Sequence, residues 1–353
     1  MGTAFAISNP ADVVFWGVMM LPVPLQTQDR YKQAYRELRQ SLLNHKVFER
    51  SSRGFWFDFI PATLILALGL YHLPTLGPIL GGLLVGFIFH KYGVLGHDVS
   101  HGYFFKSNRV NKFWSFLFLD VLVGGGSYYW DLFHNRTHHI HTFSVGRDLD
   151  IQTVGGAFSP VKTWSEKIMK YQHVYYWMVF PLVVPAFLWD STETILKNLK
   201  GWAKFWAFAK KSTFLIWPAF LISQLGLADG LICFGFQLAT TGFFIHFIFM
   251  PNHFGLKPFT AEEEKGMPWL ERQLRSSRNL AGGPLTFWFY GGLNCQVEHH
   301  VFPAVPRHHW PLVSQELKKV CEKYELPYYE VSPLQGYREI YRCLKYGEYV
   351  EVG

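Results

Sequence analysis

The chain has 353 residues, of which only 17% are charged and 18% are aromatic, with 33 Phe, 18 Tyr and 13 Trp. A soluble domain carries about a quarter charged residues, so this composition points to a membrane protein, and a mean hydropathy near zero requires a sizeable polar part beside the apolar segments. The net charge of +7 comes without a basic stripe or a nucleic-acid-binding motif, which sets nucleic acid aside as a partner and leaves a membrane surface for the basic residues to face.

Residues 1–55 read as a polar N-terminal arm. Met1-Gly2 opens like a myristoylation signal, but Ala6 stands where Ser or Thr belongs. No basic region leads into an apolar core and a small-residue cleavage site, so no secretory signal is expected. Within 29–48, Tyr31, Ala34, Tyr35, Leu38, Leu42 and Leu43 recur at helical spacing between Lys and Arg. That pattern predicts an amphipathic helix lying on lipid or on the rest of the protein.

Residues 57–90 hold no Lys, Arg or Glu, and Asp58 at their edge is the only Asp. Each crossing of a bilayer needs about 20 residues, so the run predicts a tight hairpin. Its crossings fall near 56–73 and 75–95, with the turn at His72-Leu73-Pro74-Thr75. Two further apolar stretches, 113–129 and 173–189, are interrupted by Asp120 and three glycines, and by Pro181 and Pro185. Both are read as interfacial or partly sunk helices. Lys197 to Lys211, interleaved with Trp202, Phe205, Trp206 and Phe208, predicts a cytoplasmic helix resting on headgroups. Residues 213–256 again lack Lys and Arg and break at Leu227-Ala228-Asp229-Gly230. A second hairpin follows, with crossings near 212–228 and 230–251. The remainder is mostly polar, as a cap would be. Basic residues avoid both turns, which places the turns away from the cytoplasm and both termini in it. Cys233, Cys295, Cys321 and Cys343 show no C-x-x-C spacing, as in a reducing compartment.

Histidines cluster where this topology returns to the cytoplasm. His97 and His101 close the second crossing. His134, His138 and His139 follow, the first two one helical turn apart if the stretch is α-helical. Asn252-His253 ends the fourth crossing, and His299 and His300 lie in the cap. Two hairpins bring all of these to one membrane face. Eight imidazoles exceed one first-row ion and suit two, with four or five ligands each. Imidazole accommodates Zn, Cu, Fe or Ni, and beside a membrane a redox pair of irons that activates oxygen is favoured over a zinc hydrolase. Asp98, Asp131, Asp148, Asp150 and Glu298 are placed to accept the second ring N–H. His90 and His246, two turns before His97 and His253, are read as hydrogen-bonded helix histidines. His141, His308 and His309 are expected to be exposed, and His45, His72 and His173 carry no signal. No H-E-x-x-H and no Ser-His-Asp arrangement is present.

H-D-x-x-H at 97–101, H-x-x-x-H-H at 134–139 and Q-x-E-H-H-x-F-P at 296–303, in that order around two apolar hairpins, resemble the membrane fatty acid desaturases. Gln296, Pro306-Arg307-His308 and Asp148-Leu149-Asp150 are similar to the front-end subgroup. One departure is the second box, with three residues rather than two before its His pair. The resemblance implies an all-α integral membrane protein, with four transmembrane helices in two hairpins and a cytoplasmic helical cap. The desaturase domain would span 56–353. It implies a di-iron site on His97, His101, His134, His138, His139, His253, His299 and His300, with Gln296, Asp98, Asn252, Asp148, Asp150 and Glu298 beside it. The reaction would use O2 and two electrons to place a cis double bond in an acyl-lipid or acyl-CoA chain, between an existing double bond and the carboxyl end. No H-P-G-G haem-domain motif is seen, so a separate cytochrome b5 or ferredoxin is expected. The expected setting is the endoplasmic reticulum or a bacterial inner membrane, with the active site cytoplasmic. The alternatives are a di-iron hydroxylase on the same fold and a metal-transporting or metal-sensing membrane protein.

Overall fold

Small residues decide how the longest helices meet. The computed structural model describes residues 25–151, 153–161, 163 and 165–353. Residues 1–24, with the Met1-Gly2 signal and the start of the arm, and the Asp150 side chain lie outside the described residues. Helix α1 spans Leu25–Asn44, α2 Arg53–Tyr71 and α3 Leu73–Ser100. The Leu227–Phe249 helix packs along α3 at backbone contact. A Cβ on Gly82 would lie 2.5 Å from the Cys233 carbonyl, and one on Gly86 would lie 2.7 Å from that of Gln237. Only glycine permits this approach, the device by which apolar helices associate without water to drive them. Contacts advance together along the two helices, from 82 against 233 to 93 against 245, so the helices are parallel. Their C-terminal ends therefore deliver His97 and His253 to one level.

Helix α2 runs the opposite way along α3. Thr63 hydrogen-bonds Tyr92 at 2.9 Å, while Gly69 meets Leu84. Its outer face leaves Phe57 73% and Leu64 65% exposed, an apolar surface suited to lipid. Residues 213–225, a 3-10 turn followed by the Ile216–Leu225 helix, fold back on the Leu227–Phe249 helix. Gly226, at φ 82, makes the reversal, and Gly230 packs on the Ile222 backbone.

Among the described residues, four helices are long and apolar enough to cross a membrane: Arg53–Tyr71, Leu73–Ser100, Gln172–Asn198 and Leu227–Asn252. The third differs from the sequence expectation, which sank 173–189 at the interface and put a crossing near 212–228. Pro181 and Pro185 do not end the helix, because Pro181 sits in a single 3-10 turn, Phe180–Leu182, and Pro185 lies in the first turn of Val183–Asn198. There a missing N–H breaks no helical bond. Residues 113–129 also depart from a plain helix. They turn π-helical at Phe116–Leu122 and resume at Ser127–Trp130.

The basic aromatic stretch forms the Gly201–Ser212 helix, with Trp202, Phe205 and Trp206 exposed. Helix α1 buries Tyr31, Ala34, Leu38 and Leu42 in one core with Val313 and Leu317 of the Trp310–Lys323 helix and with Val297 and Val301. Of the two surfaces its stripe suited, it therefore covers protein and backs the third histidine box. Among the described residues, strand pairing is confined to the short parallel pair Asn279–Leu280 and Glu330–Val331 and two isolated bridges.

Candidate metal centre

The second box is not α-helical. Asp131–His138 is a π-helix, in which the His139 N–H reaches the His134 carbonyl at 3.2 Å. Five-residue hydrogen bonding aligns His134 with His139, whose Nε2 atoms approach to 3.1 Å. His138 falls in a different group, although its ring still stacks 5.2 Å from that of His134. The α-helical spacing expected of His134 and His138 is thereby corrected to a π-helical one.

Among the described residues two groups result, in each of which the ligand atoms lie within 4.8 Å of one another. His97, His101, His134, His139 and His299 form the first, and His138, His253 and His300 the second. All eight sequence-predicted histidines fall in one or the other. His90 and His246 fall in neither: His90 packs among Phe87, Phe244 and Phe289, and His246 between Phe158 and Phe180. The two groups adjoin, with the His139 and His300 rings 4.5 Å apart.

Hydrogen bonds hold one nitrogen of several of these rings. His97 Nδ1 meets Asp98 Oδ1 at 2.8 Å, and His138 Nδ1 meets Asp148 Oδ2 at 2.9 Å. His253 Nδ1 donates to the Ser276 carbonyl at 2.7 Å, and His300 Nδ1 lies 3.1 Å from Gln273 Oε1. Meanwhile Nε2 of His97, His101, His299 and His300 is buried without a hydrogen-bond partner. Orphaned buried nitrogens are costly, and a cation bound through them removes that cost. The donor set thus fits two imidazole-bound first-row ions, with outer partners fixing the tautomers. Burial first, and the neighbouring rings second, hold His134, His139, His299 and His300 well below the usual imidazole pKa. They are therefore neutral, as ligands must be.

The other candidates divide. Asn252 Nδ2 donates to Gln296 Oε1 at 3.0 Å, and Gln296 Nε2 lies 3.0 Å from His253 Nε2. Asp131 pairs instead with Arg136 at 2.7 Å. Glu298 touches no histidine ring nitrogen, because its place on the short Gln296–Val301 helix turns it toward Asn279 Nδ2 and the Tyr328 hydroxyl, both at 2.7 Å. Its replacement by Gln should accordingly keep parental metal content while costing about 1–2 kcal/mol of stability, measured by metal per chain and thermal midpoint. His141 is half-buried and held by Glu264 at 2.6 Å, not exposed. His308 is exposed and His309 half-buried. Gln273, Ser276 and Trp130, whose ring stacks 4.6 Å from that of His134, carried no signal in the sequence.

A cavity of about 250 Å³ is lined in part by His134, His138 and His253. Trp130, Phe133, Val183, Phe187, Ile245 and Phe249 are among its walls, with Asp190 and Glu193 also lining it.

The sequence model of the family described as "Fatty acid desaturase" matches residues 73–332. The chain is 27% identical over 344 residues to a Delta(8)-fatty-acid desaturase of Euglena gracilis, covering 89% of this chain and 78% of that protein. It is 26% identical over 358 residues to the Delta(6)-fatty-acid desaturase fat-3 of Caenorhabditis elegans, covering 92% and 77%. It is 23% identical over 350 residues to an acyl-lipid (9-3)-desaturase of Physcomitrium patens, covering 88% and 62%.

Proposed function

This chain belongs to the fatty acid desaturase family, and from that premise we propose that it is a membrane-bound, di-iron acyl desaturase of the front-end type. The observation that carries the reading is a largely apolar cavity lined in part by buried imidazoles of two adjoining groups. His97, His101, His134, His139 and His299 would hold one iron, and His138, His253 and His300 the other, with Gln296 beside it. When bound, the irons supply the oxidising power by which dioxygen, two electrons and two protons convert CH2–CH2 to CH=CH and two waters. The protein's part is positional. The cavity walls hold the chain extended and exclude water, and the Asp98 and Asp148 carboxylates keep His97 and His138 turned to the metal.

Convergence of the histidines requires an even number of crossings between His139 and His253. The Leu227–Phe249 helix supplies one. We assign the other to the stretch near 212–228, whose antiparallel packing on that helix supports a second hairpin, and lay Gln172–Asn198 along the cytoplasmic interface. The desaturase domain then spans 56–353, with the cap and both termini cytoplasmic, in an endoplasmic reticulum or bacterial inner membrane. Electrons come from a separate cytochrome b5 or ferredoxin. The Delta(8) and Delta(6) names of relatives support the front-end assignment, and the acyl carrier is a lipid or CoA.

Membranes containing the protein, supplied with defined unsaturated acyl substrates, oxygen and reductant, should yield a product lighter by two hydrogens. Its new double bond should lie between the old one and the carboxyl end. A product heavier by one oxygen would replace desaturation with hydroxylation, and metal flux without oxygen uptake would defeat both.

A further inference from the structure

Arg307 occupies a junction that the ligand set does not explain. It is 3% exposed. Its Nε lies 2.9 Å from Asp98 Oδ2 and its Nη2 lies 3.2 Å from Asp58 Oδ2 of α2. Its Nη1 donates to the Gly291 carbonyl at 2.6 Å. The other oxygen of Asp98 meets His97 Nδ1 at 2.8 Å. One guanidinium therefore ties both legs of the first hairpin to the segment that leads into the third box, and stands one carboxylate away from the five-histidine group.

A carboxylate that accepts a ring N–H orients the imidazole and strengthens it as a ligand. Asp98 does so for His97 while facing the full positive charge of Arg307, which draws electron density from the carboxylate. The approaches of Arg307 to Asp98 and Asp58 are charge–charge contacts without hydrogen-bond alignment. Asp58 shares the same guanidinium and so limits how much of its charge Asp98 receives.

We propose that Arg307 is a positioning residue for the five-histidine group: acting through Asp98, it sets the orientation and donor strength of His97. The proposal rests on the reading that each group holds an iron. It concerns residues of α2, of α3 and of the turn after the third box, and none of the ligands themselves.

The test uses the full chain in detergent, loaded with iron-57. Iron per chain, resistance to a competing chelator and the Mössbauer signals of the two irons are compared for the parent, Arg307→Gln, Arg307→Lys and Asp58→Asn. Arg307→Gln should weaken retention of one iron about 10–100-fold, the range for loss of an outer partner, and shift one of the two signals only. Arg307→Lys should fall between it and the parent. Asp58→Asn should shift the same signal without loss of iron. Two unchanged signals with parental retention in Arg307→Gln would overturn the proposal, as would equal movement of both signals. If Arg307→Gln does not fold, unshifted spectra in the other two variants overturn it equally. A parent that takes up no iron defeats the underlying reading and the proposal with it, whereas a loaded parent with indifferent variants defeats the proposal alone.

Discussion

Replacing His299 with alanine is expected to abolish turnover and release iron while the apolar helices stay inserted. The ring is fully buried, and neither of its nitrogens has a hydrogen-bond partner. The rings of His97, His101 and His139 stand 4.7, 5.0 and 4.7 Å from it. An imidazole in that position has no structural hydrogen bond to lose, so its truncation removes a ligand and little else. Losing an outer partner typically costs 10–100-fold in affinity or activity, and loss of a direct ligand should exceed about 100-fold. His138→Ala should do the same through the three-histidine group. His309→Ala, half-buried and in neither group, should stay within about twofold of the parent, as surface substitutions usually do. Product formation and iron per chain are the measurements. Parental turnover in both His299→Ala and His138→Ala would sink the ligand assignment.

How far the site was legible depended on what kind of information each residue carries. The eight imidazoles recur at short spacings beside long uncharged runs, and periodicity is a local property. Their gathering follows once α3 and the Leu227–Phe249 helix are known to run parallel at glycine contacts. The division into five and three was not legible, because it depends on a π-helical turn at Asp131–His138. A five-residue bond rather than a four-residue one pairs His134 with His139 and leaves His138 to the other group. Glu298 misled for a related reason. Adjacent positions on a helix point about 100° apart, so sharing a box with His299 did not mean sharing a direction.

Other features lay beyond local pattern altogether. Gln273 meets His300 from 27 positions away, and Arg307 meets Asp98 from across most of the chain. A buried charge is indistinguishable in sequence from a solvated one until its partner is placed. The helix expected at the interface over 173–189 runs longer, as Gln172–Asn198, and its length was not legible because proline ordinarily reads as a stop. Here each proline occupies a first turn, where it is tolerated.

Arg278 is the residue whose loss should most damage the fold around the metal, although it touches no histidine. It is fully buried. It pairs with Glu339, and its guanidinium donates to the carbonyls of Pro251 at 2.7 Å and Phe254 at 2.6 Å. Its backbone N–H donates to the Asn252 carbonyl at 2.9 Å. These carbonyls bracket His253, so one side chain shapes the turn that presents that ligand. Arg278→Met would leave the Glu339 carboxylate buried beside only the Tyr329 hydroxyl and Gln335, with two carbonyls stripped of their donor. Breaking a buried pair in this way costs about 3–5 kcal/mol, a large share of the 5–15 kcal/mol that holds a typical domain. The variant should therefore melt well below the parent and lose iron from the three-histidine group first. Adding Glu339→Leu removes the stranded charge and should restore much of the stability, since replacing both partners with apolar groups is often neutral. It should restore less of the iron, because the turn at His253 still lacks its donor. Thermal midpoints and iron content of the single and double variants give the coupling directly. An Arg278→Met protein within about 1 kcal/mol of the parent would show that the turn holds its shape without the guanidinium.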